Sequence, residues 1–260
     1  TEMKKLTARS NDKPMEKNYT YFSSGKINNG PETLCKDAHE RVSVGLKQRD
    51  ITILSDRESW INESVPELII NLWQRGHAVR LIHTTSELCK GDVCLLLSCG
   101  SILSKEQLAL HEHNLVVHAS DLPKGQGWSP MTWQILEDKS SIPVSLFEAV
   151  VGLDSGKIYL QQEIKLKGQE LTDDWRKLLA QTTIELCLAW FDRYQVVVNS
   201  ARAQYGETSF YQRRRPSDSE LDPERSIAEQ FNLLRVVDNE SYPAFFYWRN
   251  KRYELLIRDS

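Results

Sequence analysis

DVCLLLS, residues 92–98, is apolar at five consecutive positions. Side chains of a strand alternate between its two faces, so a strand of this composition must be covered on both sides. The segments before it supply the cover. ITILSD (51–56) is a short apolar strand. SVPELIINLWQRGH (64–77) places Pro66 where a first helical turn tolerates it and Gly76 where a helix ends, with Leu68, Ile69, Leu72 and Trp73 on one face. AVRLIH (78–83) is a further strand. Ser104 and Gln107 have the spacing of a capping box opening a short helix through Leu110, and strand NLVVHAS (114–120) follows.

Strands interleaved with helices argue for an α/β fold, a Rossmann-like doubly wound and mostly parallel sheet. Downstream, SPMTWQILED (129–138) is expected to be a helix capped by Ser129. PVSLFEAV (143–150) and KIYLQQEIKL (157–166) are expected to be strands joined through VGLDSG, where Gly152 and Gly156 flank Asp154. A long helix is predicted over Thr172–Tyr194, then a polar connector over 199–221 and a helix from Asp222-Pro223 through Val236. AFFYWRNKRYELLIR (244–258) reads as a hairpin turning near Arg249 and Asn250. The domains expected are an N-terminal extension (1–50) without apolar periodicity, a core (51–200) and a small C-terminal helix-plus-hairpin module (201–260).

Charge excludes one class of partner. The 33 basic and 36 acidic residues give a formal charge of −3, without the basic excess of a nucleic-acid binder, and Arg213, Arg214 and Arg215 sit in a balanced region. No apolar run reaches the roughly 18 residues needed to span a bilayer, and no signal pattern opens the chain, so a cytoplasmic protein without a membrane partner is expected. Cys35, Cys89, Cys94, Cys99 and Cys187 are odd in number and form no CxxC, which fits reduced structural thiols.

Candidate chemistry concentrates in HEHNLVVHASDLPKGQGWSP (111–130). SDRESWINES (55–64), after the first strand, has no glycine to let a pyrophosphate approach, which argues against a dinucleotide. His111 and His113 could chelate from one strand face, but His118 lies on the other face about 16 Å from His113. No metal is expected, and HEH is read as a solvated loop. Ser120 and Cys99 lack a nucleophile elbow. His118, at the end of an apolar strand beside an open loop, is either a core histidine or an acid/base group, and Asp154 from a second loop would complete a proton-transfer pair.

LLLSCGSILSKEQL, NLVVHASDLPKGQGWSPMTWQIL and SLFEAVVGLDSGKIYLQQEI resemble, in order and spacing, the core of the folate-dependent formyltransferases. That family includes the methionyl-tRNA, glycinamide ribonucleotide and sugar-nucleotide enzymes. His118 and Asp154, 36 positions apart, fall on its N-x-H-x-S-x-LP and D-x-G blocks. The resemblance spans roughly 51–200, and the C-terminal block is similar to the tail of sugar-nucleotide N-formyltransferases, above all the branch leading to formylated pseudaminic acid.

The resemblance implies an N10-formyltetrahydrofolate donor held around Ser98, Gly100, Ser101, Leu103, Val151, Gly152 and Asp154. It implies a nucleotide-linked amino sugar as acceptor, UDP-linked before dTDP-linked, with His118 and Asp154 as the catalytic pair. The family asparagine falls on Val116, removing an oxyanion donor worth about 2.7–4 kcal/mol. Asn114 lies about 13 Å from His118 along a regular strand, so Ser120, Ser98 or a main-chain amide would have to replace it. Gln126 and Trp128 are candidate sugar contacts, and Arg213 and Arg214 candidate diphosphate ligands. Arg235, Asn239 and Tyr242 match the family's tail block, although Arg235 equally fits a structural ion pair. Alternatives are a non-catalytic folate or nucleotide-sugar binder and a methionyl-tRNA formyltransferase-like enzyme. A homodimer is one candidate assembly.

Overall fold

The structure is a computed structural model that describes residues 47–259. The expected N-terminal extension therefore lies almost wholly outside the described residues, and its last position, Asp50, is the first residue of β1. In chain order the elements are β1 (Asp50–Leu54), α1 (Val65–Gln74), β2 (Ala78–Ile82), β3 (Gly91–Leu96), α2 (Lys105–Leu108), β4 (His111–His118), β5 (Gln126–Gly127) and α3 (Pro130–Leu136). There follow β6 (Ser141–Glu148), β7 (Ile158–Lys165), α4 (Thr172–Asp192), α5 (Tyr194–Asn199), β8 (Phe210–Tyr211), α6 (Phe231–Val236), β9 (Ala244–Trp248) and β10 (Lys251–Leu255).

Six strands form one sheet in the order β2-β1-β3-β4-β6-β7. The pairs β1–β2, β1–β3 and β3–β4 are parallel, while β4–β6 and β6–β7 are antiparallel. Strand β3 is dry on both faces, as its sequence requires. Val93 and Leu95 join the core under α1 and α4 with Leu68, Leu72 and Trp190, whereas Cys94 and Leu96 pack on the opposite face with Leu54 and Leu103. Burial pushes the Cys94 thiol up to about 12, which marks it as structural.

Local signals are realised where a short-range bond carries them. Pro66 lies in the first turn of α1, and Gly76 beyond its end takes φ +84°. Ser104 Oγ accepts the Gln107 N–H while Gln107 Oε1 accepts the Ser104 N–H at 2.9 Å, closing the capping box of α2. Arg249 and Asn250 both have positive φ (49° and 66°) and form the two-residue turn of the β9–β10 hairpin.

Three expectations are corrected. HEH is not a solvated loop: β4 begins at His111, which is buried against Thr52 Oγ1 (3.1 Å), and His113 lies between Glu148 and Tyr194. Ser129 does not cap α3 through its side chain, since its backbone is left-handed (φ 51°). The helix expected from Asp222 begins only at Phe231, preceded by a 3-10 turn over Ala228–Gln230. The Gln230 side chain accepts the Asp222 N–H (2.7 Å) and donates to the Asp222 carbonyl (3.0 Å), satisfying backbone groups that a helix would otherwise use.

Candidate active site

His118 ends β4, and its Nε2 is 2.8 Å from the Gly125 carbonyl oxygen in the loop that follows. A carbonyl only accepts, so Nε2 carries the proton and Nδ1 is the free nitrogen of the neutral ring. The ring is 8% exposed and stands edge-on to Phe147.

Asp154 reaches this histidine by a path that periodicity does not reveal. Because β6 is antiparallel to β4, it ends at Glu148, opposite Leu115, and the following loop must fold back toward the level of His118. Gly156 permits the return, because a Cβ there would overlap the Glu148 carbonyl. The loop places Asp154 Oδ2 3.9 Å from His118 Nε2, where it accepts the Gly127 N–H at 2.9 Å. Asp154 itself has φ 47°. The two groups are thus adjacent but not directly hydrogen-bonded, and the Gly125 carbonyl, not the carboxylate, orients the imidazole. Gly156→Ala is expected to cost about 1–3 kcal/mol, lowering Tm by about 2–12 °C. An unchanged calorimetric Tm would show that the loop tolerates the methyl group.

A cavity of about 450 Å³ opens beside the pair. One wall is the segment after β3: Ser98, Gly100, Ser101 and Leu103 all line it. Asp56, at the end of β1, holds this segment by accepting the Gly100 N–H at 2.9 Å, and Ser59 Oγ donates to the Ser98 carbonyl at 3.2 Å. SDRESWINES therefore does have a place in the site, as a clamp on its neighbour. Cys99 also lines the cavity, but burial raises its thiol above the ordinary value, away from a thiolate nucleophile.

The remaining candidates divide. Gly152, Trp128, Arg213, Arg214 and Tyr242 line the cavity. Burial lowers the Arg214 guanidinium, which donates to the Val236 and Asp218 carbonyls. Val151 points outward, 71% exposed. Gln126 is directed to the Asp154 carbonyl (3.3 Å), and Ser120 borders a separate depression with Lys124 and Ser141. Arg235 and Asn239 lie outside the cavity lining. Arg235 is 1% exposed and paired with Glu170 at 3.2 Å, and Asn239 exchanges two hydrogen bonds with the Ile257 backbone.

Val116 lines the cavity and offers no donor. Asn114 does not replace it: β4 is regular there, and the Asn114 amide is spent on the Leu108 carbonyl. Among the described residues no group of His, Cys, Asp or Glu is arranged to hold a metal ion, and no helix is long and apolar enough to cross a membrane. Sequence reasoning missed Asp56, Arg176 and Asp238, all in the cavity wall. Asp56 was signalled by its place at a strand end, whereas the Arg176–Asp238 pair (2.7 Å) joins residues 62 apart with no local signal.

Residues 64–186 match the family described as formyl transferase. A methionyl-tRNA formyltransferase of Thermodesulfovibrio yellowstonii is 25% identical over 169 residues, 64% of this chain and 54% of the relative. The chain spans about half the length of the curated relatives it matches. Among solved structures, HypX from Aquifex aeolicus in complex with tetrahydrofolic acid aligns with a TM-score of 0.68 at 16% identity, over 79% of this chain and 37% of that one. A sugar N-formyltransferase from a Shewanella species aligns with a TM-score of 0.60 at 12% identity, over 81% of this chain and 98% of that one. The chain carries the α/β formyltransferase fold, and the segment that builds the His118 strand and the Asp154 loop lies within its match to the formyl transferase family.

Proposed function

We propose that this protein transfers a formyl group from N10-formyltetrahydrofolate to the amine of a nucleotide-linked amino-deoxy sugar, UDP-linked and of the pseudaminic acid type. The observation that carries the reading is the approach of His118, at the end of a strand, and Asp154, from a separate loop, beside one cavity. The cavity suits the donor. Leu103, Val150 and the exposed Ile102 present apolar surface to a flat ring system, and main-chain groups of 98–103 border it. The donor supplies an activated formyl carbon.

The chain's own groups handle the proton and the charge. As the amine nitrogen bonds to the formyl carbon, neutral His118 accepts the amine proton at Nδ1. The protonated ring then offers Nδ1–H to the oxyanion, so proton removal creates the donor that Val116 does not supply. The Asp154 carboxylate lies 3.9 Å from Nε2 of that ring. Cleavage of the bond from the formyl carbon to the folate nitrogen, with the Nδ1 proton passing to that nitrogen as it leaves, returns His118 to its neutral form and completes the transfer. Arg213 and Arg214 at the cavity wall are the proposed diphosphate ligands, with Trp128 and Tyr242 against the sugar and base.

Incubation with N10-formyltetrahydrofolate and a UDP-linked 4-amino-4,6-dideoxy sugar is expected to add one formyl group to the sugar, read by mass spectrometry. UDP is expected to raise Tm more than dTDP. Binding of both ligands without product would favour a non-catalytic binder, the reading that Val116 supports. The methionyl-tRNA relatives support a tRNA acceptor. Tight, strongly salt-dependent tRNA binding would establish that reading over the sugar, against the formal charge of −3.

A further inference from the structure

The polar connector after α5 touches both candidate catalytic loops. It first joins β7, where Arg202 and Ile158 exchange two backbone hydrogen bonds (2.8 and 3.0 Å). Gln204 Nε2 then donates to the carbonyls of Asp154 (2.7 Å) and Gly156 (2.8 Å), while its Oε1 is buried without a partner. Five residues on, Ser209 holds Gly125 from two sides. Its hydroxyl accepts the Gly125 N–H (2.8 Å), and its carbonyl accepts the Gln126 N–H (2.9 Å). That Gly125–Gln126 peptide is the one whose carbonyl holds His118 Nε2. Strand β8 finally pairs with β5, placing Tyr211 opposite Gly127, the residue whose N–H binds Asp154 Oδ2.

We propose that residues 202–211 form a strap that sets the separation of His118 and Asp154, with Gln204 as its positioning residue for the Asp154 loop. This rests on the formyl-transfer reading for its catalytic consequence but not for its structural one. The chemistry favours a carboxamide at 204. Two converging carbonyls need two N–H donors from one atom, which a carboxamide nitrogen supplies. The strap lies beyond residue 186, where the family match ends, so the matched segment does not by itself contain every group that holds the pair.

The test compares Gln204→Met and Gln204→Glu in the full chain. Methionine keeps the bulk without the donors, and glutamate adds charge facing two carbonyl oxygens. Amide hydrogen exchange at Gly127 is expected to accelerate about tenfold or more in both, while the β3 core amides of Val93 and Leu95 keep their wild-type rates. With an accepted amine, kcat is expected to fall about tenfold to a hundredfold, with KM for donor and acceptor within about threefold of wild type. Unchanged Gly127 exchange would overturn the strap, as would equal acceleration of the core amides, which would mark Gln204 as a general stability residue. Absence of wild-type turnover on any amine would overturn the formyl-transfer reading instead, and the exchange result would still decide the strap.

Discussion

Replacing His118 by glutamine is expected to lower kcat for formyl transfer by about 10²- to 10⁴-fold without unfolding the protein. Glutamine can place its amide N–H near the Nε2 position, facing the Gly125 carbonyl, but carries no group that exchanges a proton near neutral pH. Asp154→Asn is the matched control. Its amide oxygen can still accept the Gly127 N–H, so the loop geometry survives while the negative charge 3.9 Å from His118 disappears. A loss of comparable order is expected there. Activity within twofold of wild type in either variant, measured at saturating donor and acceptor, would remove that residue from the chemistry. Expansion of the site by a distant effect is checked by calorimetry, because both substitutions preserve volume and should leave Tm within a few degrees.

Arg235→Met is expected to have the largest effect on stability. The side chain is 1% exposed, its Nε donates to the Glu170 carbonyl, one terminal nitrogen donates to Asn232 Oδ1, and the other pairs with the Glu170 carboxylate at 3.2 Å. Removing Arg235 strips the Glu170 carboxylate of its counter-charge, leaving it only its main-chain N–H bonds, at a cost of about 3–5 kcal/mol. For a chain of this size that is a fall in Tm of about 6–20 °C. Turnover below the lowered Tm should be near wild type, since Arg235 does not line the cavity. A raised KM for the nucleotide sugar with unchanged Tm would instead return Arg235 to the substrate site.

The partner's titration gives the pH dependence. Burial alone would raise the Glu170 carboxyl, but N–H bonds from Lys167 and Gly168 and the Arg235 charge outweigh it and hold it below its ordinary value of 4.5. A carboxyl depressed in the folded state adds stability above its unfolded pKa and loses it as pH falls through the folded one. Arg235→Met should therefore narrow the stability difference from wild type as the pH drops below about 4.5.

Features legible in the sequence were those whose cause is local. The dry strand Val93–Leu97, Pro66 and Gly76 around α1, the Ser104–Gln107 capping box and the Arg249–Asn250 turn each depend on neighbours a few positions away. The candidate pair was legible for another reason: His118 and Asp154 fall on motif blocks with a characteristic separation. The misplaced residues share a different property. His111 and His113 read as polar positions before a strand, yet partners 35 to 81 residues distant, Thr52, Glu148 and Tyr194, make their burial affordable.

By itself, then, the sequence determined that residues from Ile51 onward build an alternating α/β layer structure, and it singled out His118 and Asp154 within it. Apolar periodicity and turn chemistry act over a few residues, which is why they survive in one dimension. Only the tertiary structure decided that the loop after antiparallel β6 doubles back to His118, that Arg235 and Asn239 hold the C-terminal segment, and that the 202–211 connector grips both loops. Each of those depends on a hydrogen bond or ion pair between residues far apart in the chain. The same polar side chain is a surface group or a keystone according to what the fold places opposite it.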